Sequence, residues 1–140
     1  MRPLIGRSEA AGDKQMLNHV SIGVRDIART KRFYDAVLKP LGYTCLNEGP
    51  DSLGYGKDAV ALWIGSAERP VPADQMSGLH FCFDAPTVKS VDSFHAAAVE
   101  AGGRDNGKPG IRHDYGPNYY AAFVVDPDGY RLEAYCGRKS

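Results

Sequence analysis

The chain has 140 residues, of which 43% are hydrophobic and 24% charged, as is typical of one globular domain that buries its core without disulfides. Lysine plus arginine and aspartate plus glutamate each total 17, so the formal net charge is zero. The chain therefore lacks the excess of positive charge that is typical of proteins that bind nucleic acid or an anionic membrane. The three cysteines, Cys45, Cys82 and Cys136, form neither a disulfide framework nor a zinc pair, and we expect small buried thiols in a reducing compartment.

The first 15 residues are polar and show no hydrophobic periodicity. They lack the apolar stretch of a signal peptide, and no segment of the chain approaches the roughly 18 apolar residues of a membrane-spanning helix. We therefore expect a flexible extension at residues 1–15 and a single cytoplasmic domain at residues 16–140.

An internal repeat determines the architecture of that domain. A histidine in a short strand-like run, a phenylalanine and a glycine recur in the same order, each at an offset of 61 residues. These residues are His19, Phe33 and Gly42 in the first copy and His80, Phe94 and Gly103 in the second. Three coincidences in one register indicate two copies of one structural module.

The first copy, residues 16–65, begins with a predicted strand at 17–24. A helix follows, with Asp26 as its N-cap, apolar residues at helical spacing, Pro40 near its end and Gly42 as a left-handed stop. Three further strands are predicted at 43–48, 52–57 and 59–65. Residues 66–77 contain two prolines and form the predicted linker between the copies.

The second copy, residues 78–137, repeats this order. A strand at 78–85 precedes a helix that is capped by Thr87 and ended by Gly102 and Gly103. A weak strand near 103–107 and a long loop at 107–118 follow, and the Asp-Pro-Asp-Gly tetrapeptide 126–129 turns a hairpin of strands 119–126 and 130–136. Each copy is thus βαβββ, and the predicted class is α+β with two tandem modules.

The segments LNHVSIGVRDIARTKRFYDAVLKPLGY, GLHFCFDA and FVVDPDGYRLEAYC together resemble the vicinal oxygen chelate superfamily. Its members include glyoxalases, bleomycin-resistance proteins, extradiol dioxygenases and fosfomycin-resistance transferases. The resemblance implies a cupped, incomplete mixed β-barrel with the helices outside and metal ligands on the first and fourth strands. It also implies a homodimer, in which the cup forms either within one chain or between modules of two chains.

The same resemblance places metal ligands at His19, His80 and Glu133. A glutamate between Leu132 and Ala134 in a core hairpin is costly unless it is paired or coordinated. Two imidazoles and one carboxylate suit Fe, Mn, Zn, Ni or Co and leave positions open for a substrate. The alternatives are ordinary polar histidines, a Glu133–Arg131 salt bridge, and a family member that has lost its metal.

The fourth carboxylate ligand of glyoxalases is missing, because its position falls on Leu62 or Trp63. Either side chain would instead line the cup beside Phe123, and Ser21 is a candidate for contacting the substrate. Tyr119 shares a strand face with Phe123 and is a candidate catalytic residue, unless it only packs. His113, in the long loop, is a second candidate acid or base, unless it is merely exposed.

These features predict a glyoxalase- or dioxygenase-like metal-dependent enzyme. Its small substrate would chelate the metal through vicinal oxygens and undergo lyase or isomerase chemistry or ring-cleaving dioxygenation. The alternative is a binding protein of the bleomycin-resistance type, which sequesters a drug or metabolite without chemistry. We expect no nucleic-acid or membrane partner.

Overall fold

The computed structural model describes residues 15–137, so the extension predicted at residues 1–15 lies outside the described part except for its last residue. The strands are β1 (Val20–Val24), β2 (Thr44–Glu48), β3 (Ser52–Gly56), β4 (Val60–Ser66), β5 (His80–Asp84), β6 (Arg104–Ile111), β7 (Tyr119–Val125) and β8 (Arg131–Gly137). The helices are α1 (Ile27–Leu38), a short 3-10 helix (Lys39–Leu41) and α2 (Val88–Glu100).

Helix α1 begins and ends where its capping residues require. The Asp26 side chain accepts the backbone N–H of Arg29 at 3.0 Å, which satisfies one of the free donors of the first turn. The 3-10 helix continues α1 through Pro40, and Gly42 stops it with a φ of 94°. The predicted cap and the predicted stop are both confirmed.

Helix α2 starts with a reciprocal cap. The Ser90 N–H donates to Thr87 Oγ1 at 3.0 Å, while the Ser90 hydroxyl lies 3.2 Å from the Thr87 backbone nitrogen and accepts from it. Phe94 and Ala98 on its inward face are fully buried, as their helical spacing predicts. The helix therefore buries one apolar face against the second sheet and against α1.

The eight strands form two four-stranded sheets, ordered β1-β4-β3-β2 and β5-β8-β7-β6. In each sheet the strand that comes first along the chain (β1 or β5) pairs in parallel with the strand that comes last (β4 or β8). The other neighbouring strands pair antiparallel. The two halves of the chain thus share one βαβββ topology, and over residues 15–137 no strand of one sheet pairs with a strand of the other to close a barrel. The predicted α+β fold of two tandem modules is confirmed. No helix in this range has the length and apolar character needed to cross a membrane.

Strand β6 is longer than predicted. Residues 107–111, expected to open the long loop, pair with β7, so that only residues 112–118 connect the two strands. The pairing shifts register between Asp105 and Gly107 and again between Gly107 and Gly110. Because glycine, proline and asparagine disfavour strands locally, sequence alone could not show that pairing with β7 would impose one.

Each sheet has one face packed on the helices and one open face. Residues facing the helices alternate along the strands and join a common core: Leu53, Tyr55, Leu62 and Ile64 from the first sheet, and Ala122, Val124, Leu132 and Ala134 from the second. The residues between them lie on the face that we call the open face. That face carries the candidate site.

Candidate metal site

His80 and Glu133 meet on the open face of the second sheet. Strands β5 and β8 pair in parallel, with His80 opposite Arg131 and Cys82 opposite Glu133. His80 Nε2 lies 2.8 Å from Glu133 Oε1. Glu133 is only 3% exposed, whereas 41% of the His80 side chain is accessible. A carboxylate held in the sheet and an accessible imidazole thus converge on one point, and both are donors for divalent transition metals.

Tyr119 holds the second oxygen of the same carboxylate. Its hydroxyl donates to Glu133 Oε2 at 2.6 Å. Desolvation and the Glu133 charge raise the pKa of Tyr119 well above its ordinary value, so the hydroxyl stays protonated and remains a donor. Tyr120 points to the opposite side and donates to Asp92 on α2, as the strand alternation predicts.

Cys82 extends this cluster, although sequence analysis gave it no role. It is exposed on the open face, next to Glu133, and of the three cysteines only Cys136 is buried. The expectation of three buried thiols was therefore wrong for Cys82, whose alternation with His80 along β5 could have revealed it. Desolvation and Glu133 raise the pKa of the Cys82 thiol to about 12, so it is uncharged at neutral pH.

An aromatic and basic wall borders the pair. The Phe123 ring centroid lies 6.2 Å from that of His80, and the Arg112 guanidinium stacks over Phe123 at 5.2 Å. His113 and Tyr115, in the connecting loop, border a cleft of about 340 Å³ beside Phe123. The structure thus places the predicted residue His113 next to this wall, without a hydrogen bond to His80 or Glu133.

His19 lies apart from the pair within the chain. It precedes β1, and alternation from the exposed Ser21 places it on the open face of the first sheet. Its exposed ring is hydrogen-bonded to the Asn18 side chain at 2.8 Å. Across residues 15–137, no three His, Cys, Asp or Glu side chains are arranged so that they could hold a metal ion. The three predicted ligands therefore do not assemble within one chain.

Trp63 occupies the position that corresponds to Glu133. In the first sheet Ser21 pairs with Trp63, just as Cys82 pairs with Glu133 in the second. Leu62 was the other candidate, but its side chain is 6% exposed and belongs to the core beneath the sheet. Leu62 was therefore wrong as a residue of the open face, because the period of two along β4 turns it toward the helices.

Comparisons with known proteins agree with this architecture. Residues 16–134 match the family model described as the glyoxalase/bleomycin resistance protein/dioxygenase superfamily. The Bacillus subtilis protein YqjT is 28% identical over 124 residues, which are 84% of this chain and 95% of that protein.

Solved structures extend the comparison. A glyoxalase/bleomycin resistance protein from Albidiferax ferrireducens is 32% identical, with a TM-score of 0.76 over 87% of this chain and 99% of that one. The fosfomycin resistance protein FosX from Mesorhizobium loti has a TM-score of 0.65 over 90% of this chain and 95% of its own, but at 16% identity it shares the fold alone. Since the family match spans nearly the whole described range, the chain belongs to the glyoxalase/bleomycin resistance protein/dioxygenase superfamily.

Proposed function

We propose that the protein is a metal-dependent enzyme that acts on a small substrate whose vicinal oxygens chelate the metal. The observation that supports this most strongly is the His80–Glu133 pair on the open face, with Tyr119 fixing the carboxylate. A buried glutamate is costly to retain for packing alone, and here one of its oxygens faces an accessible imidazole. The donor set suits Fe, Mn, Zn, Ni or Co.

We propose that a homodimer completes the site, with His19 of the partner subunit as the third ligand. Over residues 15–137 the two modules contact each other mainly through α1 and α2, and no strand of one sheet pairs with a strand of the other. His19 and Ser21 on one open face and the pair on the other would face each other if two chains exchanged modules. Such a shared site is incomplete in a single copy.

Each residue of the proposed site has a role that follows from its position. A bound divalent ion supplies Lewis-acid stabilisation of a developing oxyanion. Tyr119 keeps one carboxylate oxygen of Glu133 in place, which leaves the other free to ligate. Phe123 and Trp63 supply apolar walls for the substrate, Ser21 a hydroxyl, and His113 an accessible imidazole near the Phe123 wall. Lyase or isomerase chemistry and ring-cleaving dioxygenation both fit this arrangement.

Titration of the metal-free protein with divalent metal ions tests the proposal. We expect Mn, Fe, Co, Ni or Zn to bind at one site per chain, and His80→Ala to weaken that binding by more than about 100-fold, since even residues behind the ligands contribute 10- to 100-fold. His95→Ala is the matched control, because His95 lies on α2, where it pairs with Asp105 of β6, away from the open face.

Equal metal affinity in wild type and His80→Ala, or no binding by any of the five metals, would contradict the proposal. In the second case, small-molecule stabilisation that a chelator leaves unchanged would point to a binding protein. A thermal unfolding curve of metal-free His80→Ala shows whether any loss of binding comes from misfolding.

A further inference from the structure

Arg131 is a cation on the open face that has no hydrogen-bond or ion-pair partner among residues 15–137. It stands directly opposite His80 in the β5–β8 pairing and two residues before Glu133 on the same face of β8. Its Nε atom is buried and makes no hydrogen bond. Buried donors are almost always bonded in folded proteins, and the terminal nitrogens of Arg131, which are not among the buried unbonded atoms, are left for a further polar group.

A small cleft surrounds this guanidinium. Its volume is about 160 Å³, and its polar lining comes from Arg104, Asn106 and Arg131 on the sheet and from Asp74 and Gln75 on the linker. Arg104 has no hydrogen-bond or ion-pair partner among the described residues, so two unpaired guanidinium groups share one cleft. Arginine binds carboxylate and phosphate groups through paired N–H donors, which makes this lining selective for an oxyanion.

The one acidic residue of the lining, Asp74, accepts hydrogen bonds from the linker backbone. Asp74 Oδ1 accepts the backbone N–H groups of Met76 and Ser77, both at 3.0 Å. It therefore shapes the linker turn, and among residues 15–137 it forms no ion pair with either arginine. The cleft keeps a net positive charge, and its volume suits one carboxylate or phosphate group rather than a whole drug-sized ligand.

We propose that this cleft binds an anionic group, a carboxylate or a phosphate, of the substrate that chelates the neighbouring metal. The inference rests on the proposed function. Strand geometry separates the Cα atoms of Arg131 and Glu133 by about 7 Å, so one small molecule can span both sites. The substrate class is then a small organic acid or phosphorylated compound with two adjacent oxygens near its anionic group.

Anion binding to metal-free protein, dialysed free of chelator, tests the cleft separately from the metal site. Inorganic phosphate and acetate are titrated in parallel, and the arginine Nε–Hε signals are followed by NMR. We expect one of them to shift the Arg131 signal, and the tighter one identifies the preferred group. Arg131→Gln and Arg104→Gln should each weaken binding at least about tenfold, whereas Arg32→Gln, an exposed arginine on α1, should not change it.

Absence of any shift at Arg131, or unchanged affinity in Arg131→Gln, would overturn the proposal. So would an Arg131→Gln variant that is monomeric where wild type is dimeric, because the guanidinium would then anchor the partner subunit. Failure of metal binding with intact anion binding would instead refute only the proposed enzyme. The two results are therefore distinguishable.

Discussion

Asp126 is a buried carboxyl group that fixes the turn before β8. Its Oδ1 accepts the backbone N–H groups of Asp128 and Tyr130 at 2.9 and 2.8 Å, and its Oδ2 accepts the Tyr34 hydroxyl at 2.5 Å. Burial raises the pKa of Asp126 to about 6, although these hydrogen bonds oppose the shift. One side chain thus connects α1 of the first module to the hairpin that carries Glu133.

This pKa predicts a pH dependence of stability. An unfolded aspartate has a pKa near 3.9, so between about pH 4 and 6 the folded chain binds a proton that the unfolded chain releases. The stability contributed by protonated Asp126 is complete below about pH 4 and is lost as the pH rises through 6. A shift of about two pKa units corresponds to roughly 3 kcal/mol.

Asp126→Asn should remove that dependence, because an amide does not titrate. Urea unfolding between pH 5 and pH 7 should show that the variant loses less stability than wild type as the pH rises, by about 1–2 kcal/mol within this part of the range. Asp51→Asn, an exposed aspartate on the first module, is the control. A constant difference between wild type and Asp126→Asn across this range would contradict the prediction.

At the residue scale, strand alternation was the most informative signal. Counting back from the Asp-Pro-Asp-Gly turn placed Tyr119 and Phe123 on the open face with Glu133, where the structure finds them. The cleft that we propose around Arg131 escaped this reasoning, because a salt bridge with Glu133 was the expected alternative. Strand spacing alone does not show that the linker would border a separate cleft around it.

At the scale of strands, Gly54 and Trp63 form a matched pair on β3 and β4. They are opposite one another in the antiparallel ladder. A Cβ on Gly54 would lie 2.8 Å from the Trp63 ring and 2.9 Å from a Val60 methyl group. The glycine thus leaves room for the aromatic ring that stands at the position of Glu133 in the first sheet.

Gly54→Ala should therefore destabilise the fold by about 1–3 kcal/mol through overpacking, measured by urea unfolding. Gly65→Ala is the matched control on the neighbouring strand, because its added Cβ would approach nothing closer than 3.8 Å. Neither glycine has a positive φ, so backbone strain does not separate the two variants. Equal free energies of unfolding for the two variants would contradict the prediction, because the Trp63 ring would then move aside at no cost.

The elements themselves were predictable wherever capping residues and hydrophobic periodicity agreed, as in α1 between Asp26 and Gly42. The second half of strand β6, residues 108–111, was not predictable, because tertiary pairing with β7 overrides its poor local propensity. Leu62 and Trp63 could not be distinguished beforehand, since a one-residue uncertainty in register reverses which side chain faces the core.

At the scale of the whole molecule, the repeat predicted two equivalent modules but not how their ligands meet. The offset between His19 and His80 established the pseudo-symmetry. Within the chain the modules pack through their helices, and the two open faces do not pair into one sheet. Because the three predicted ligands do not come together within residues 15–137 of one chain, the proposed site depends on an assembly that the repeat does not specify.

Subunit complementation distinguishes these assemblies. Mixed dimers of a His19→Ala chain and a His80→Ala chain can be isolated with two different affinity tags. If the site is shared, one of the two sites in each mixed dimer takes His19 from one chain and His80 with Glu133 from the other, so about half of the wild-type metal binding returns. If each site belonged to a single chain, both sites would lack a ligand and no binding would return.

The matched control combines His80→Ala with Glu133→Gln. Since His80 and Glu133 lie on the same sheet of one chain, every site in that mixed dimer lacks one of them in either assembly. Recovery with the first pair, with no binding by the second pair or by the His19→Ala homodimer, would place the metal between subunits. Isolated mixed dimers of the first pair that bind no metal would contradict the shared site, and would show that each site needs His19 and His80 from the same chain.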